Sequence, residues 1–300
     1  MADQTMQIIL GLDGSPHSLI ARDLVAGLPW PPGTRVRVVG AYGVPIDWTG
    51  GVGSTMAWVG EIEDAVRDSL ADSLRDLSEP LARAGLHVEQ TAVRGRAADA
   101  LLDSAVETGA DLIVTGSRGR GPVRSMLLGS VAAEVSANAR CPVLVARRPL
   151  VTRLLVATDG SPGSNAIRDR LAGLGVFRGT PADVVTVAVP DAPAYELMAS
   201  LYTLGDERVA QQRAQIGAQA RSCAEGLAGE LEAIGIPATP HVRSGDPAAE
   251  ILAAAEDRGA DLIVTGSRGL GGIDRVLLGS VARNVLTHAR QSVLVLRKEP

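Results

Sequence analysis

Two consecutive α/β domains, each an open parallel five-stranded sheet with helices on both faces, are predicted by three observations. The chain repeats itself once. Short β-branched runs alternate with helical stretches throughout each copy. One strand of each copy is the unbroken run LIVT, typical of a sheet covered on both sides. With 300 residues the chain has room for two domains of about 150, each large enough to bury a core.

The repeat fixes the division. Residues 8–18, IILGLDGSPHS, match 154–164, LLVATDGSPGS, which sets Asp13 against Asp159. Residues 109–147 match 259–297 without a gap, and 25 of those 39 positions are identical. A repeat of this length is a duplicated domain rather than a solenoid unit. The offset grows from 146 to 150, so the domains are placed at 1–148 and 152–300.

In the first copy Gln7–Leu12 reads as a strand. Ser15 and Pro16 then cap and open a helix running toward Leu28. Arg35–Tyr42 is a second strand. Glu61–Ala84 has helical periodicity and is ended by Gly85. His87–Val93, the helix Ala98–Glu107 and the strand Asp111–Thr115 follow. A glycine-rich stretch at 116–129, a helix from Ser130 to Ala139 and a strand at Pro142–Ala146 complete the copy. The second copy repeats the strands at Arg153–Thr158, Asp183–Val189, Ala238–Arg243, Asp261–Thr265 and Ser292–Leu296. Right-handed crossovers between parallel strands place helices on both faces. Residues 43–60, with Trp48 and Trp58, and residues 190–206 diverge between copies and read as variable loops.

Composition narrows the function. A net charge of -5 and one Phe, three Trp and three Tyr give neither a basic surface nor stacking platforms, which excludes nucleic acid as the expected partner. Cys141 and Cys223 lack metal-ligand or CxxC spacing and read as reduced thiols. The first residues lack the basic and apolar regions of a signal peptide, and no apolar run reaches the length of a membrane span. A cytoplasmic location without a membrane partner is the expectation.

The chemistry is carried by G-x2-G-x9-G-S, found twice after the LIVT strand. Gly116, Gly119, Gly129 and Ser130 form the first occurrence and Gly266, Gly269, Gly279 and Ser280 the second. Glycine lets backbone N–H groups approach an anion, and a helix beginning at the final serine offers unpaired N–H groups and the positive end of its dipole. Phosphate is the natural occupant, although tight turns also need glycine. Spacing survives in both copies while neighbours change, as Met126 against Val276 and Arg124 against Asp274.

Three alternatives stay open. Ser130 and Ser280 either cap their helices or give the hydroxyl to phosphate. Asp13 and Asp159, just past the first strand of each copy, either meet a ribose hydroxyl or a divalent cation or stabilise a turn into the next helix. Arg118 and Arg268 meet phosphate or form surface ion pairs. Neither a G-x4-G-K-[ST] P-loop nor a dinucleotide G-x-G-x-x-G is present, and Lys298 is the only lysine.

These motifs resemble the ATP-binding branch of the universal stress protein family in its tandem-domain form. The resemblance covers nearly the whole chain except the two variable loops. It implies the adenine nucleotide alpha hydrolase-like fold, strand order 3-2-1-4-5 in each half, and pairing of the halves through their fifth strands as a pseudo-dimer; a further homodimer stays open. It puts ribose and phosphates on Asp13, Gly116, Gly119, Gly129 and Ser130, near Val131, and adenine at the backbone around Ala41. In the second copy the matching positions are Asp159, Gly266, Gly269, Gly279, Ser280, Val281 and Val187. Arg118 and Arg268 join these sets as phosphate neighbours. The cofactor so implied is ATP, or ADP or AMP, with magnesium.

No catalytic set is duplicated. His17 aligns with Gly163 and His288 with Asn138, so both histidines read as surface residues. The leading reading is a nucleotide-dependent sensor or regulator in stress response, with a protein partner the sequence does not identify. A slow ATPase or AMP-releasing hydrolase, and a nucleotide-free scaffold of the same fold, are the alternatives.

Overall fold

A computed structural model describes residues 5–43, 56–119, 128–161, 166–189, 206–267 and 278–297. The chain divides into two compact units, Met1–Leu150 and Val151–Pro300. The variable segments 44–55 and 190–205, and the glycine-loop interiors 120–127 and 268–277, lie outside the described residues.

In the first unit the order is β1 (Gln7–Gly11), α1 (Pro16–Gly27), β2 (Arg35–Tyr42), α2 (Met56–Arg83), β3 (His87–Arg94), α3 (Ala97–Thr108), β4 (Leu112–Gly116), α4 (Ser130–Asn138) and β5 (Val143–Ala146). The strands lie in the order β3-β2-β1-β4-β5 and all pair parallel, with Ile8 opposite both Val36 and Leu112. α1 and α2 pack together on one face, and α3 and α4 on the other. Covered on both sides, Ile8, Ile9, Leu10, Leu112, Ile113 and Val114 are each at most 1% exposed. This is why the central strands are apolar at consecutive positions instead of alternating ones.

Local chemistry sets the helix limits. Ser15 is the N-cap of α1 and its hydroxyl accepts the Ser18 N–H at 3.3 Å, while Pro16 occupies the first turn, where its missing N–H costs nothing. Gly109 ends α3 in the left-handed conformation at φ 62°, and its N–H bonds back to the helix. The long helix starts at Met56, five residues before the position that periodicity gave, and carries Pro80 in its last turn.

The second unit repeats the plan with β6 (Leu154–Ala157), α5 (Ile167–Leu174), β7 (Ala182–Ala188), α6 (Asp206–Ala233), β8 (Ala238–Ser244), α7 (Pro247–Asp257), β9 (Leu262–Gly266), α8 (Ser280–His288) and β10 (Ser292–Leu296). Within this unit the order is β8-β7-β6-β9-β10, again parallel, so each copy has its third strand at one edge and its first strand in the middle. Thus the order 3-2-1-4-5 holds in both.

Differences between the copies are compensated by packing. In the first, Gly40 lies under α2 so closely that an added Cβ would stand 2.9 Å from Leu74 and 3.2 Å from Leu70. The second places Thr186 at the strand position and Ala220 and Ala224 at the helix positions, all buried. Volume has moved from helix to strand, as close packing requires. Charge is exchanged in the same way. Arg37 on β2 pairs with Glu89 and Glu107, whereas its counterpart Asp183 on β7 pairs with Arg153 at 3.1 Å and His241 at 2.7 Å. The Asp183 side chain is only 5% exposed, and a carboxylate so placed requires such partners.

Candidate functional site

Because the strands are parallel, β1 and β4 end at the same edge of the first unit, and the loops after them meet there. Asp13 follows β1. Its Oδ1 accepts the Ser15 N–H at 2.9 Å, which fixes the turn leading into α1. Its Oδ2 stands beside Gly119, where an added Cβ would fall 2.9 Å away. The turn-forming and site-facing readings of Asp13 therefore apply to different oxygens of one carboxylate.

Two close backbone approaches shape the glycine loop. A Cβ on Gly116 would meet the His17 carbonyl carbon at 2.5 Å and the Ser18 nitrogen at 2.7 Å, so β4 and the start of α1 touch through backbone alone. The Gly129 N–H donates to the Ser117 carbonyl at 2.7 Å, closing the ends of the loop on each other. A Cβ on Gly129 would lie 3.1 Å from the Arg118 Cα. Gly129 is also the N-cap of α4. Ser130, which a capping role would have put one position earlier, is the first helical residue. The same correction applies to Ser280, since Gly279 is the N-cap of α8. The first turn of α4 lines the cleft through Ser130, Val131 and Ala132.

Asp13, Ala41, Gly116, Arg118, Gly119, Gly129, Ser130 and Val131 all line one cleft of about 830 Å³. That volume is in the range of small-molecule sites. At the Ala41 end a second, more apolar chamber of about 480 Å³ shares Leu12, Asp13 and Ala41 with it and is walled by Ile62, Val66, Leu70 and Leu74 of α2. One end therefore offers apolar surface and the other backbone N–H groups, glycines and cations.

The cationic end is set by Arg118 and His17 in the cleft wall and by Arg147, whose charge acts on both. Burial, then the neighbouring charge of Arg118, pulls the Arg147 guanidinium down to about 10. Burial, followed by Arg118 and Arg147, lowers His17 below its usual value, while Asp13 acts in the opposite direction. The His17 ring Nδ1 lies 3.4 Å from the Ser117 hydroxyl.

The second copy retains the frame. The Ser161 N–H donates to Asp159 Oδ1 at 2.9 Å, and the Gly279 N–H to the Ser267 carbonyl at 2.8 Å. Val187 is the penultimate residue of β7, Gly266 ends β9, and Ser280 and Val281 open α8. Arg268 and Gly269 lie outside the described residues. One local feature differs: Cys223 of α6 packs against Gly160, so that a Cβ there would meet its sulfur at 2.5 Å. Among the described residues no cluster of His, Cys, Asp and Glu has the arrangement of a metal site. Nor is any described helix long and apolar enough to cross a membrane.

The model of the universal stress protein family matches residues 5–147 and again 151–297. The chain belongs to the universal stress protein family. A universal stress protein of Mycobacterium tuberculosis is 29% identical over 322 aligned positions, covering 99% of this chain and 98% of that one. A universal stress protein of Thermus aquaticus is 36% identical over 143 residues, covering 47% of this chain and 97% of its own. Among solved structures, a universal stress protein from Archaeoglobus fulgidus superposes with a TM-score of 0.63 at 20% identity, over 98% of this chain and 99% of that chain. This likeness is one of fold.

Sequence reasoning on this universal stress protein named Arg118 of the cationic end but missed His17 and Arg147. His17, read as a surface residue, is half-buried and lines the cleft; Ser15, Thr115 and Leu101 line it too. Comparing copies discards a residue that only one copy carries, and Gly163 stands opposite His17. The available signal was position: His17 lies in the first helical turn directly after the DGSP turn.

Proposed function

We propose that this universal stress protein is an ATP-binding regulator with one adenine-nucleotide site in each copy, ADP and AMP being the alternative occupants. The observation that carries this reading is the convergence of all eight first-copy positions on one cleft, with an apolar chamber at one end and a glycine-lined, cationic loop at the other. Such a division suits a base and a phosphate chain. Adenine would lie by Ala41 and the α2 wall, the ribose by Asp13, and the phosphates along Gly116–Gly119 and the opening turn of α4, where unpaired N–H groups and the helix dipole favour anions. Magnesium would travel with the phosphates.

The second copy retains Asp159, Val187, Gly266, Gly279, Ser280 and Val281 in the corresponding frame, which supports a second site. The role so proposed is binding in stress response, exercised in the cytoplasm through a nucleotide-dependent protein partner. Mass spectrometry of nucleotide released from freshly purified protein, with calorimetry of added ATP and magnesium, tests the reading. Near two nucleotides per chain are expected. Protein that carries none and shows no binding heat would sink it.

A further inference from the structure

Among the described residues at the cationic end of the first cleft, His17 is the titratable group whose sequence counterpart in the second copy does not titrate. His17 stands in the first turn of α1, its backbone pressed on Gly116 and its ring beside Ser117. The charged groups that face it are Arg118 from the loop after β4, Arg147 from the end of β5 and Asp13 from its own loop. The positive end of α1 adds to the two guanidiniums. Asp13 commits Oδ1 to the Ser15 N–H. The second copy has Arg297 where the first has Arg147, but Gly163 where the first has His17.

We propose that His17, with Arg118 and Arg147, makes the first site selective for the multiply charged end of a nucleoside polyphosphate, and that His17 takes up a proton from solvent as that end binds. This rests on the nucleotide reading given above. Without nucleotide a charged imidazole would face two guanidiniums in a partly desolvated place, which disfavours its proton; burial and both arginines act in this direction. A terminal phosphate reverses the local field and accepts hydrogen bonds, which favours imidazolium. A monophosphate or nucleoside brings less charge to this end and leaves the ring neutral. The two copies would therefore respond differently to pH: the first site tightens for ATP as pH falls through the neutral range, and the second lacks this dependence.

The test is calorimetry on the full chain with ATP, AMP and adenosine, in buffers of different ionisation enthalpy between pH 6 and 8. Wild type is compared with His17→Gln and with His17→Gly, which copies the second repeat. Proton exchange by the phosphates themselves is common to all three proteins and cancels. The expected result is extra proton uptake with ATP in the wild type alone. ATP affinity should rise several-fold per pH unit, at most tenfold for a single proton. Near pH 6.5 both variants should lose about tenfold in ATP affinity at one of two sites, with AMP and adenosine unchanged. Binding of ATP with equal proton uptake in all three proteins would overturn the inference while leaving the nucleotide reading intact. No heat with any nucleotide would overturn both. The thermal midpoint of each variant, measured alongside, separates a lost linkage from a damaged fold.

Discussion

An alanine methyl at Gly116 would stand 2.5 Å from the carbonyl carbon of His17, and 2.6 Å from its oxygen. Both obstacles are backbone, so neither can rotate away. The end of β4 and the first turn of α1 are held at a separation that only glycine permits, and the floor of the cleft depends on it.

Gly116→Ala is accordingly expected to destabilise the first unit by about 1–3 kcal/mol, the usual cost of overpacking a rigid site. Urea unfolding measures this. A midpoint equal to wild type would show that the approach of β4 to α1 is loose.

Gly119→Ala should behave differently. Among the described residues its Cβ would meet only the Asp13 side chain, with Oδ2 at 2.9 Å, and Gly119 itself is exposed. Stability should stay within about 0.5 kcal/mol of wild type, as for an ordinary surface change. Nucleotide stoichiometry should fall by about one per chain. Gly119→Ala protein that keeps full stoichiometry would place the ligand away from Asp13.

Gly160 and Cys223 make a coupled pair in the second unit. Gly160 has φ 71°, and an added Cβ would collide with the Cys223 sulfur. Gly160→Ala should cost about 2–3 kcal/mol, combining backbone strain with the clash. In a Cys223→Ala background the cost should drop to about 1 kcal/mol, the strain alone. A double-mutant cycle reads the difference, and strict additivity would show the contact to be energetically idle.

Thr186 is 4% exposed, and its hydroxyl makes no hydrogen bond among the described residues. Thr186→Val keeps the shape and removes a desolvated polar group, so stability should rise by about 1 kcal/mol. Thermal unfolding with the midpoint unchanged or lowered would reveal an unsuspected partner for that hydroxyl.

His17 also links stability to pH in the nucleotide-free protein. Burial and two arginines lower its folded-state value below 6.5, so the folded chain binds fewer protons than the unfolded one in that window. Its contribution is present above pH 6.5 and is lost as pH falls through the lowered folded value. His17→Gln should flatten the dependence of urea stability on pH below the unperturbed histidine value of 6.5. An unchanged slope would assign that dependence to other groups.

How much of this was legible beforehand follows from the range over which each feature acts. The alternation of strand and helix is local, and so are the Ser15 cap and the Gly85 terminator; these were readable from neighbouring residues. The duplication was visible because two copies record the same spacing. Placing Asp13 against the glycine loop needed only the adjacency of β1 and β4. Ser130 was misjudged as a candidate cap because a glycine and a serine can both begin a helix, and only the backbone angles of Gly129 choose between them.

The sequence by itself determined the two domains, their strand-helix order and the repeated G-x2-G-x9-G-S loops, since periodicity and spacing are properties of the chain. Tertiary structure alone decided that Leu70 and Leu74 fit because Gly40 yields to them, and that Asp183 is answered by Arg153 and His241. It also decided that His17 shares a cleft with Arg118 and lies within the field of Arg147. These groups lie 30 to 130 residues apart along the chain. Distances between them are set by helix packing and parallel pairing, which no local pattern encodes.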